Sequence, residues 1–196
     1  MDNYVIREAT EEDVPQLFEI FNERIINSTC IFAYDTVSME NRVSWMKDLK
    51  SKGYPLIVAA EKETNKAVAY ACLGSFRPHP AYVLTSEISL YIHQKHQRKG
   101  LGATMLKELL RVGREMKFRS IIASITADNE GSILLFSKFN FQNMGVAHDS
   151  GYKFGKFLDV VFMEYLTDAE VNLKEKGIPS FRSFPWGKYT FGQSLF

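Results

Sequence analysis

The sequence predicts an α/β fold, a sandwich in which helices flank a mixed β-sheet. Short β-branched and apolar segments alternate along the chain with longer segments whose apolar residues recur at helical spacing. The chain has 196 residues, of which 45% are hydrophobic, and this is enough apolar material for one packed core. A basic, glycine-containing turn also joins one strand to the helix after it. The predicted element order is β-α-α-β-β-β-α-β-α-β-β, which is typical of such a sandwich.

The N-terminal part of the chain predicts one strand and two helices. Residues 4–8 alternate between apolar and polar side chains, as a strand does. A capping box at Thr10 and Asp13 predicts that a helix follows, and residues 27–32 break its pattern. Ser38 is placed to cap the second helix. The apolar positions are Val14, Leu17, Phe18, Phe21 and Ile25 in the first helix, and Val43, Met46 and Leu49 in the second.

The rest of the domain predicts six strands and two helices. A turn at residues 64–66 joins two of the strands, and two prolines make residues 75–82 a loop. Asn140 stands in a turn over residues 138–141, and it suits a turn because Asn tolerates left-handed backbone. The predicted strands span residues 56–60, 68–73, 85–92, 121–125, 142–148 and 157–165, and the predicted helices span residues 101–116 and 129–139.

The composition changes after residue 166, so we expect a domain over residues 1–166 and a C-terminal extension over residues 167–196. Residues 167–176 are polar and predict a short helix. Residues 178–196 are rich in Phe, Trp, Tyr, Gly and Pro and show no clear period. Because this segment is too aromatic for a flexible tail, we expect it to pack on the domain or on a second subunit.

Charge and cysteine content narrow the classes of partner and compartment. The net charge of +1 gives no general reason to expect nucleic acid or a membrane as partner. We see no signal peptide and no apolar run near the roughly 20 residues of a membrane span. Cys30 and Cys72 lack metal-ligand spacing, and we expect buried thiols in a reducing cytoplasm rather than a disulfide.

The most specific signal lies at residues 87–102. A single carboxylate, Glu87, lies on an otherwise apolar strand, and a basic turn then leads into a helix through Gly100 and Gly102. The first N–H groups of a helix have no partner within it and can bind an anion. Glycines let a phosphate approach the backbone, and Arg98 and Lys99 add positive charge. A pyrophosphate cradle with a carboxylate upstream is the layout of an acyl-CoA-dependent N-acyltransferase.

With these features in this order, residues 4–166 resemble the GNAT acetyltransferases, and within them the phosphinothricin and methionine sulfoximine N-acetyltransferase group. The resemblance implies a centrally splayed sheet, acetyl-CoA as cosubstrate, no metal, direct transfer to the amine of a small amino-acid-like acceptor, and a homodimer. It is carried by Ile6-Arg7-Glu8-Ala9-Thr10 with Asp13, Ser28-Thr29 and Phe32, Ala81-Tyr82, Thr85-Ser86-Glu87 and Tyr91, His96-Gln97-Arg98-Lys99-Gly100-Leu101-Gly102, Asn129 with Ser132, Gly151-Tyr152-Lys153, and Asp159-Val160.

The resemblance also assigns residues to the cosubstrate. Backbone N–H groups from about residue 98 to residue 103 are expected to hold the pyrophosphate, and the pantetheine arm is expected between strands 85–92 and 121–125. Asn129 is expected to orient CoA or simply to cap its helix, and Ser132 to cap or to contact CoA. The expected cofactor-binding residues are Leu90, Tyr91, Ile92, Gln97, Arg98, Lys99, Gly100, Leu101, Gly102, Ala103, Asn129 and Ser132.

Glu87 is the candidate general base, because the attacking amine arrives as ammonium and must lose a proton. The alternative is a glutamate on an exposed strand face or in an ion pair. Phe136 stands where many family members have a Tyr or His, and it has no proton to donate. No general acid is therefore named: either the thiolate of CoA leaves unprotonated, which its pKa near 8–9 allows, or another group protonates it.

The acceptor residues follow from the resemblance alone. Arg77 suits an acceptor carboxylate through its planar fork, or is a solvated loop charge. Pro78-His79-Pro80 replaces a second arginine common in the group, which puts the acceptor in question. Two alternatives stay open: another amine class, such as a peptide N-terminus or a polyamine, and a non-catalytic CoA-binding module. The expected substrate-binding residues are Phe32, Arg77, His79, Tyr82 and Lys153.

Overall fold

The computed structural model describes residues 3–196 and contains one mixed sheet flanked by helices, as predicted. The strands are β1 (Tyr4–Glu8), β2 (Leu56–Glu61), β3 (Ala67–Ser75), β4 (Thr85–Ile92), β5 (Ser120–Thr126), β6 (Gln142–Lys153) and β7 (Lys156–Leu166). The helices are α1 (Val14–Asn27), α2 (Met39–Ser51), α3 (Leu101–Glu115) and α4 (Glu130–Lys138). The sheet order is β1-β2-β3-β4-β5-β7-β6, so the predicted chain order and the mixed sheet are confirmed.

Helices cover both faces of the sheet. Leu73 of β3 lies against Gly113 of α3, where an added Cβ would meet its side chain at 3.1 Å. The next residue of the strand, Gly74, faces Leu49 of α2. Because successive strand residues point to opposite faces, α2 and α3 pack on opposite sides. None of the helices in the described part of the chain is long and apolar enough to cross a membrane.

The predicted helix starts are observed. Asp13 accepts a hydrogen bond of 2.8 Å from the Thr10 backbone, and a short 3-10 turn over Glu11–Asp13 leads into α1. The side chain of Ser38 accepts from the backbone N–H of Asn41 at 3.2 Å and caps α2. These caps fix where both helices begin.

The sheet splits at its only parallel strand pair among the described residues. β4 and β5 pair only over Thr85–Ser120, Ser86–Ile121 and Glu87–Ile122. Beyond Glu87 the two strands separate, although β5 continues to Thr126 and β4 to Ile92. The centrally splayed sheet is thus confirmed, and the gap opens beside the predicted carboxylate.

The helix predicted over residues 167–176 is wrong. Thr167 donates through its hydroxyl to the Phe118 carbonyl, and Arg119 donates to the Ala169 carbonyl at 2.7 Å. These contacts hold the start of the segment against the domain. The segment also contains no apolar stripe that a helix would bury. A 3-10 turn over Glu175–Gly177 is the helical structure found near its end.

The aromatic segment packs on its own domain, which was one of the two predicted arrangements. The ring of Phe181 stacks on Tyr54 and Phe118, with centroids 5.1 and 4.7 Å away. Phe184 is 3% exposed, and the backbone N–H of Gly187 donates to the Glu8 carboxylate at 2.8 Å. The segment therefore extends the hydrophobic core.

Candidate active site

A cavity of about 370 Å³ opens where β4 and β5 separate. Five consecutive residues of β4, Glu87 to Tyr91, line it, because the edge of the strand that faces the gap is unpaired there. The opposite wall comes from β5, and the loop after α1 closes one side. The other lining residues include Phe21, Cys30, Ile31, Phe32, Ser124, Thr126 and Phe136.

A second cavity of about 790 Å³ adjoins the first on the side of the glycine-containing turn. Gln97 and Arg98 line it from the turn, and Arg24 lines it from α1. The two cavities form one cleft, because they share the lining residues Cys30, Leu90, Tyr91, Asn129 and Ser132.

Glu87 lies at the apex of the gap between the strands. It is half-buried and is the last residue of β4 that pairs with β5. The hydroxyl of Ser124 on β5 donates to its Oε1 at 2.6 Å. This bond leaves the second carboxylate oxygen, Oε2, for another partner in the cavity.

The turn before α3 has the backbone of an anion site. Arg98 and Gly100 adopt positive φ angles of 58° and 81°, and α3 begins directly afterwards. The N–H groups of residues 101–103 have no acceptor within the helix, and together with the turn they form a concave donor surface. A Cβ on Gly102 would come within 3.1 Å of Leu135, so this glycine lets α3 approach α4 closely.

The cleft brings together most of the predicted cofactor residues. Lys99 and Gly100 are exposed on the turn, whereas Leu101 is buried. With Gly102 and Ala103 they lie outside the cleft lining, at positions where backbone groups and the charge of Lys99 were expected to act. The predicted residues that line the cleft are Leu90, Tyr91, Ile92, Gln97, Arg98, Asn129 and Ser132.

Asn129 caps α4, which is one of the two roles predicted for it. Its side-chain oxygen accepts from the backbone N–H of Ser132 at 3.2 Å. Because both residues also line the two cavities, capping holds them at the cleft surface. The cap does not use the Asn129 amide hydrogens.

Arg24 is a cleft residue that no sequence pattern marked as a candidate. It donates to the Ile92 carbonyl at 3.1 Å and so joins α1 to the end of β4. With the amide oxygen of Gln97 facing Arg24, the guanidinium nitrogens lie 2.9 and 3.2 Å from it. Arg24 also pairs with its neighbour Glu23 at 2.9 Å, but Ile92 and Gln97 are distant in sequence, so only the fold reveals the link to them.

The predicted acceptor residues do not meet in one place. Phe32 lines the cavity of Glu87, whereas Arg77, His79 and Tyr82 lie on the loop after β3, outside the lining of that cavity. The Arg77 guanidinium lies 4.8 Å over the ring of Phe76. The loop starts near Glu87 in the sheet, because Ser75 pairs with the residue before Glu87.

The side chain of Lys153 lies elsewhere than the sequence predicted. It was expected to contact the acceptor, but its side chain is buried and its Nζ donates to the carbonyls of Ile25, Ser28 and Ile31 at 2.6, 2.9 and 2.8 Å. An ammonium has three N–H donors, and the three carbonyls use all of them, so none remains to bind the acceptor substrate. Desolvation lowers the pKa of Lys153 from its usual value.

Both cysteines, Cys30 in the cleft lining and Cys72 outside it, favour chemistry without a cysteine nucleophile. Burial raises the pKa of the Cys30 thiol, and it raises that of the buried Cys72 thiol to about 12. Both cysteines are free, and both keep their protons at neutral pH.

The aromatic residues of the cleft lining carry no ionised group. Burial raises the pKa of Tyr91, and Phe136 packs edge-on against Phe141. Across the described residues, His, Cys, Asp and Glu form no group of three that would hold a metal ion.

Comparison with known proteins agrees with this geometry. Residues 6–162 match the acetyltransferase (GNAT) domain family. An L-methionine sulfoximine/L-methionine sulfone acetyltransferase of Pseudomonas aeruginosa is 32% identical over 163 residues, which cover 83% of this chain and 94% of that protein.

Solved structures are similar over most of the chain. A ribosomal-protein-alanine N-acetyltransferase from Brucella melitensis is 36% identical with a TM-score of 0.81, covering 83% of this chain and 99% of that one. A GNAT superfamily phosphinothricin acetyltransferase from Sinorhizobium meliloti, in complex with AcCoA, is 26% identical with a TM-score of 0.83, covering 90% and 95%.

Proposed function

This chain belongs to the GNAT acetyltransferase family, and we propose that it moves the acetyl group of acetyl-CoA to the primary amine of a small amino-acid-like acceptor of the methionine sulfoximine or phosphinothricin type. One observation carries the chemistry. The carboxylate of Glu87 is held at the apex of a cleft that runs from a helix N-terminus into the gap between two parallel strands. The acceptor class rests on the named relatives.

The residues present fit acetyl-CoA. Left-handed backbone at Arg98 and Gly100 exposes successive N–H groups at the start of α3, which suits a pyrophosphate. Leu90, Tyr91 and Ile92 would hold the pantetheine arm through main-chain groups that β5 no longer engages. Acetyl-CoA supplies the activated acetyl group, and the similar phosphinothricin acetyltransferase structure contains it.

Glu87 would act as the general base. Its carboxylate takes a proton from the acceptor ammonium, directly or through one water, and Ser124 keeps it oriented. The free amine then attacks the thioester carbon, a C–N bond forms and the C–S bond breaks. The nitrogen releases its second proton to water or to the thiolate after it has left. A backbone N–H near residues 91–92 would stabilise the developing oxyanion. Phe136 supplies no proton, and CoA leaves as its thiolate.

The acceptor carboxylate needs a cation, and Arg77 remains our proposal for it. Its loop leaves the sheet one residue beyond Gly74, which pairs with Glu87. Phe32 would form the apolar wall of the pocket. His79 and Tyr82 lie on the Arg77 loop and would complete the mouth of the site.

A peptide N-terminus is the second candidate acceptor. The similarity to a ribosomal-protein-alanine N-acetyltransferase, at 36% identity, favours it specifically. Such an acceptor has no free α-carboxylate beside its amine. The two candidates therefore differ in whether a carboxylate next to the amine is required.

We also propose a cytoplasmic homodimer. The edge strand β6 leaves Met144 and Val146 exposed, at 54% and 41%, and an uncovered apolar edge strand is a surface for pairing. Sedimentation of the purified protein should give twice the chain mass, and monomers at micromolar concentration would remove this proposal.

The test of the function is CoA release from acetyl-CoA across a panel of amines. The panel holds methionine sulfoximine, methionine sulfone, phosphinothricin, the common amino acids, polyamines, aminoglycosides and alanine-starting peptides. We expect turnover with the first three, and turnover with peptides alone would select the second candidate. If calorimetry shows acetyl-CoA bound but no amine is acetylated, the chain is a CoA-binding module instead.

A further inference from the structure

We propose that Lys153 is a positioning residue that holds the loop after α1 in the shape the acceptor requires. We define the acceptor loop as residues 28–34. The inference rests on the proposed function, since it assigns this loop to acceptor binding. It gives Lys153 a role different from the direct contact that the sequence predicted.

The ammonium of Lys153 fixes three points of the chain. It donates to Ile25, whose carbonyl is among the last four of α1 and has no partner within the helix, and to Ser28 and Ile31 in the acceptor loop. Lys153 is 4% exposed and forms no ion pair among the described residues. Because a buried charge without partners is costly, the three carbonyls must stay where they are.

The two residues before Lys153 hold the same loop. The ring of Phe32 lies so close to Gly151 that an added Cβ would be 2.3 Å from it. The hydroxyl of Tyr34 donates to the Tyr152 carbonyl at 2.7 Å. Three consecutive residues of β6 therefore shape the acceptor loop along its length.

The two halves of the acceptor loop differ in their support. Ser28 and Thr29, which line the cofactor side of the cleft, have bonds that do not involve Lys153: the Ser28 hydroxyl donates to the Arg24 carbonyl at 2.7 Å and that of Thr29 to Asp128 at 2.8 Å. Ile31 and Phe32, which line the cavity of Glu87, depend on Lys153 and on contact with Gly151. Loss of Lys153 should therefore disturb acceptor binding more than acetyl-CoA binding.

The experiment compares Lys153→Met, which keeps the stem and removes the donors, with Lys153→Arg, which restores charge and donors. Lys62→Met, at an exposed lysine, is the matched control. We expect Lys153→Met to raise the acceptor KM roughly ten- to hundredfold, as small misplacements do, and to leave the acetyl-CoA KM near that of wild type. Lys153→Arg should recover part of the loss. Equal changes in both KM values would overturn the proposal.

Hydrogen exchange gives a readout that does not need turnover. Amides of residues 28–34 should exchange faster in Lys153→Met than in wild type and in Lys62→Met, and unchanged exchange would overturn the proposal. If wild type acetylates none of the amines, the proposed function fails and this exchange still decides the positioning role. If Lys153→Met does not fold, Gly151→Ala displaces Phe32 without altering charge, and the same rise in acceptor KM is expected.

Discussion

Ser124 on β5 donates a hydrogen bond of 2.6 Å to Glu87 on β4 at the point where these two parallel strands part. The bond crosses the closed end of the gap that the cosubstrate is proposed to enter. The strand that forms one wall of this gap therefore orients the carboxylate on the other wall.

Substitution of Gly100 should weaken acetyl-CoA binding. Its φ of 81° lies in the left-handed region, so Gly100→Ala strains the turn or reshapes it and moves the N–H groups that we propose bind the pyrophosphate. We expect a clearly weaker Kd for acetyl-CoA by isothermal titration calorimetry.

Gly177→Ala provides the control for this prediction. Gly177 has a φ of 70° in the 3-10 turn Glu175–Gly177, outside the cleft lining, and neither glycine has an atom within 4 Å of an added Cβ. Both variants should lose similar stability, about 1–2 kcal/mol, but only Gly100→Ala should lose affinity. Equal affinity in the two variants would argue against the turn as the pyrophosphate site.

The C-terminal extension is held by an ionised carboxylate. Glu108 on α3 accepts from Arg111 at 2.6 Å, from the Tyr189 hydroxyl at 2.8 Å and from the Gly192 backbone at 3.1 Å. Burial alone would raise the pKa of Glu108, but these donors outweigh it and lower the pKa below its usual value. The charged form is therefore the one that the folded state prefers.

This lowered pKa makes docking of the extension sensitive to acid. A group whose pKa is lower in the folded state stabilises the fold above its unfolded pKa, near 4.3 for Glu, and loses this contribution as pH falls through the folded value. Urea unfolding should show wild type more stable than Glu108→Gln at pH 7, with the difference shrinking by pH 3. A difference that stays constant with pH would contradict this account.

The aromatic residues of the extension should contribute unequally to stability. Phe184 is 3% exposed and contacts Trp186 and Tyr189, whereas Phe191 is 42% exposed. Phe184→Ala should lower the free energy of unfolding by about 3–5 kcal/mol, since it empties a packed site. Phe191→Ala should change it by about 0.5 kcal/mol or less. Urea denaturation at pH 7 measures both, and similar values would mean that the extension is not part of the core.

The fold was largely predictable because its signals are local. The strand over residues 85–92 has the bounds that its apolar run predicts, and Thr10 and Ser38 mark the two helix starts with short-range caps. Residues 167–176 had only polar composition to suggest a helix. Their backbone is instead fixed by Phe118 and Arg119, which no local pattern reveals.

The candidate site was predictable where its residues are contiguous. Glu87 and the turn at Gly100 lie within one short stretch, so their relation could be seen in the sequence. Lys153 reaches carbonyls more than 120 positions away, at separations of 122 to 128, and such a link depends on the tertiary fold. The position of Arg77 relative to Glu87 was not predictable either, because the spacing of residues along the chain does not determine the path of the loop after β3.

The rate of CoA release by Glu87→Gln tests the central claim most directly. We expect kcat to fall by roughly 10²–10⁴, because the amide cannot take the proton, while the Kd for acetyl-CoA and the melting temperature stay near those of wild type. Ser124→Ala keeps the carboxylate and should lose much less. A kcat for Glu87→Gln close to that of wild type, with the same acceptor, would contradict the proposed role of Glu87.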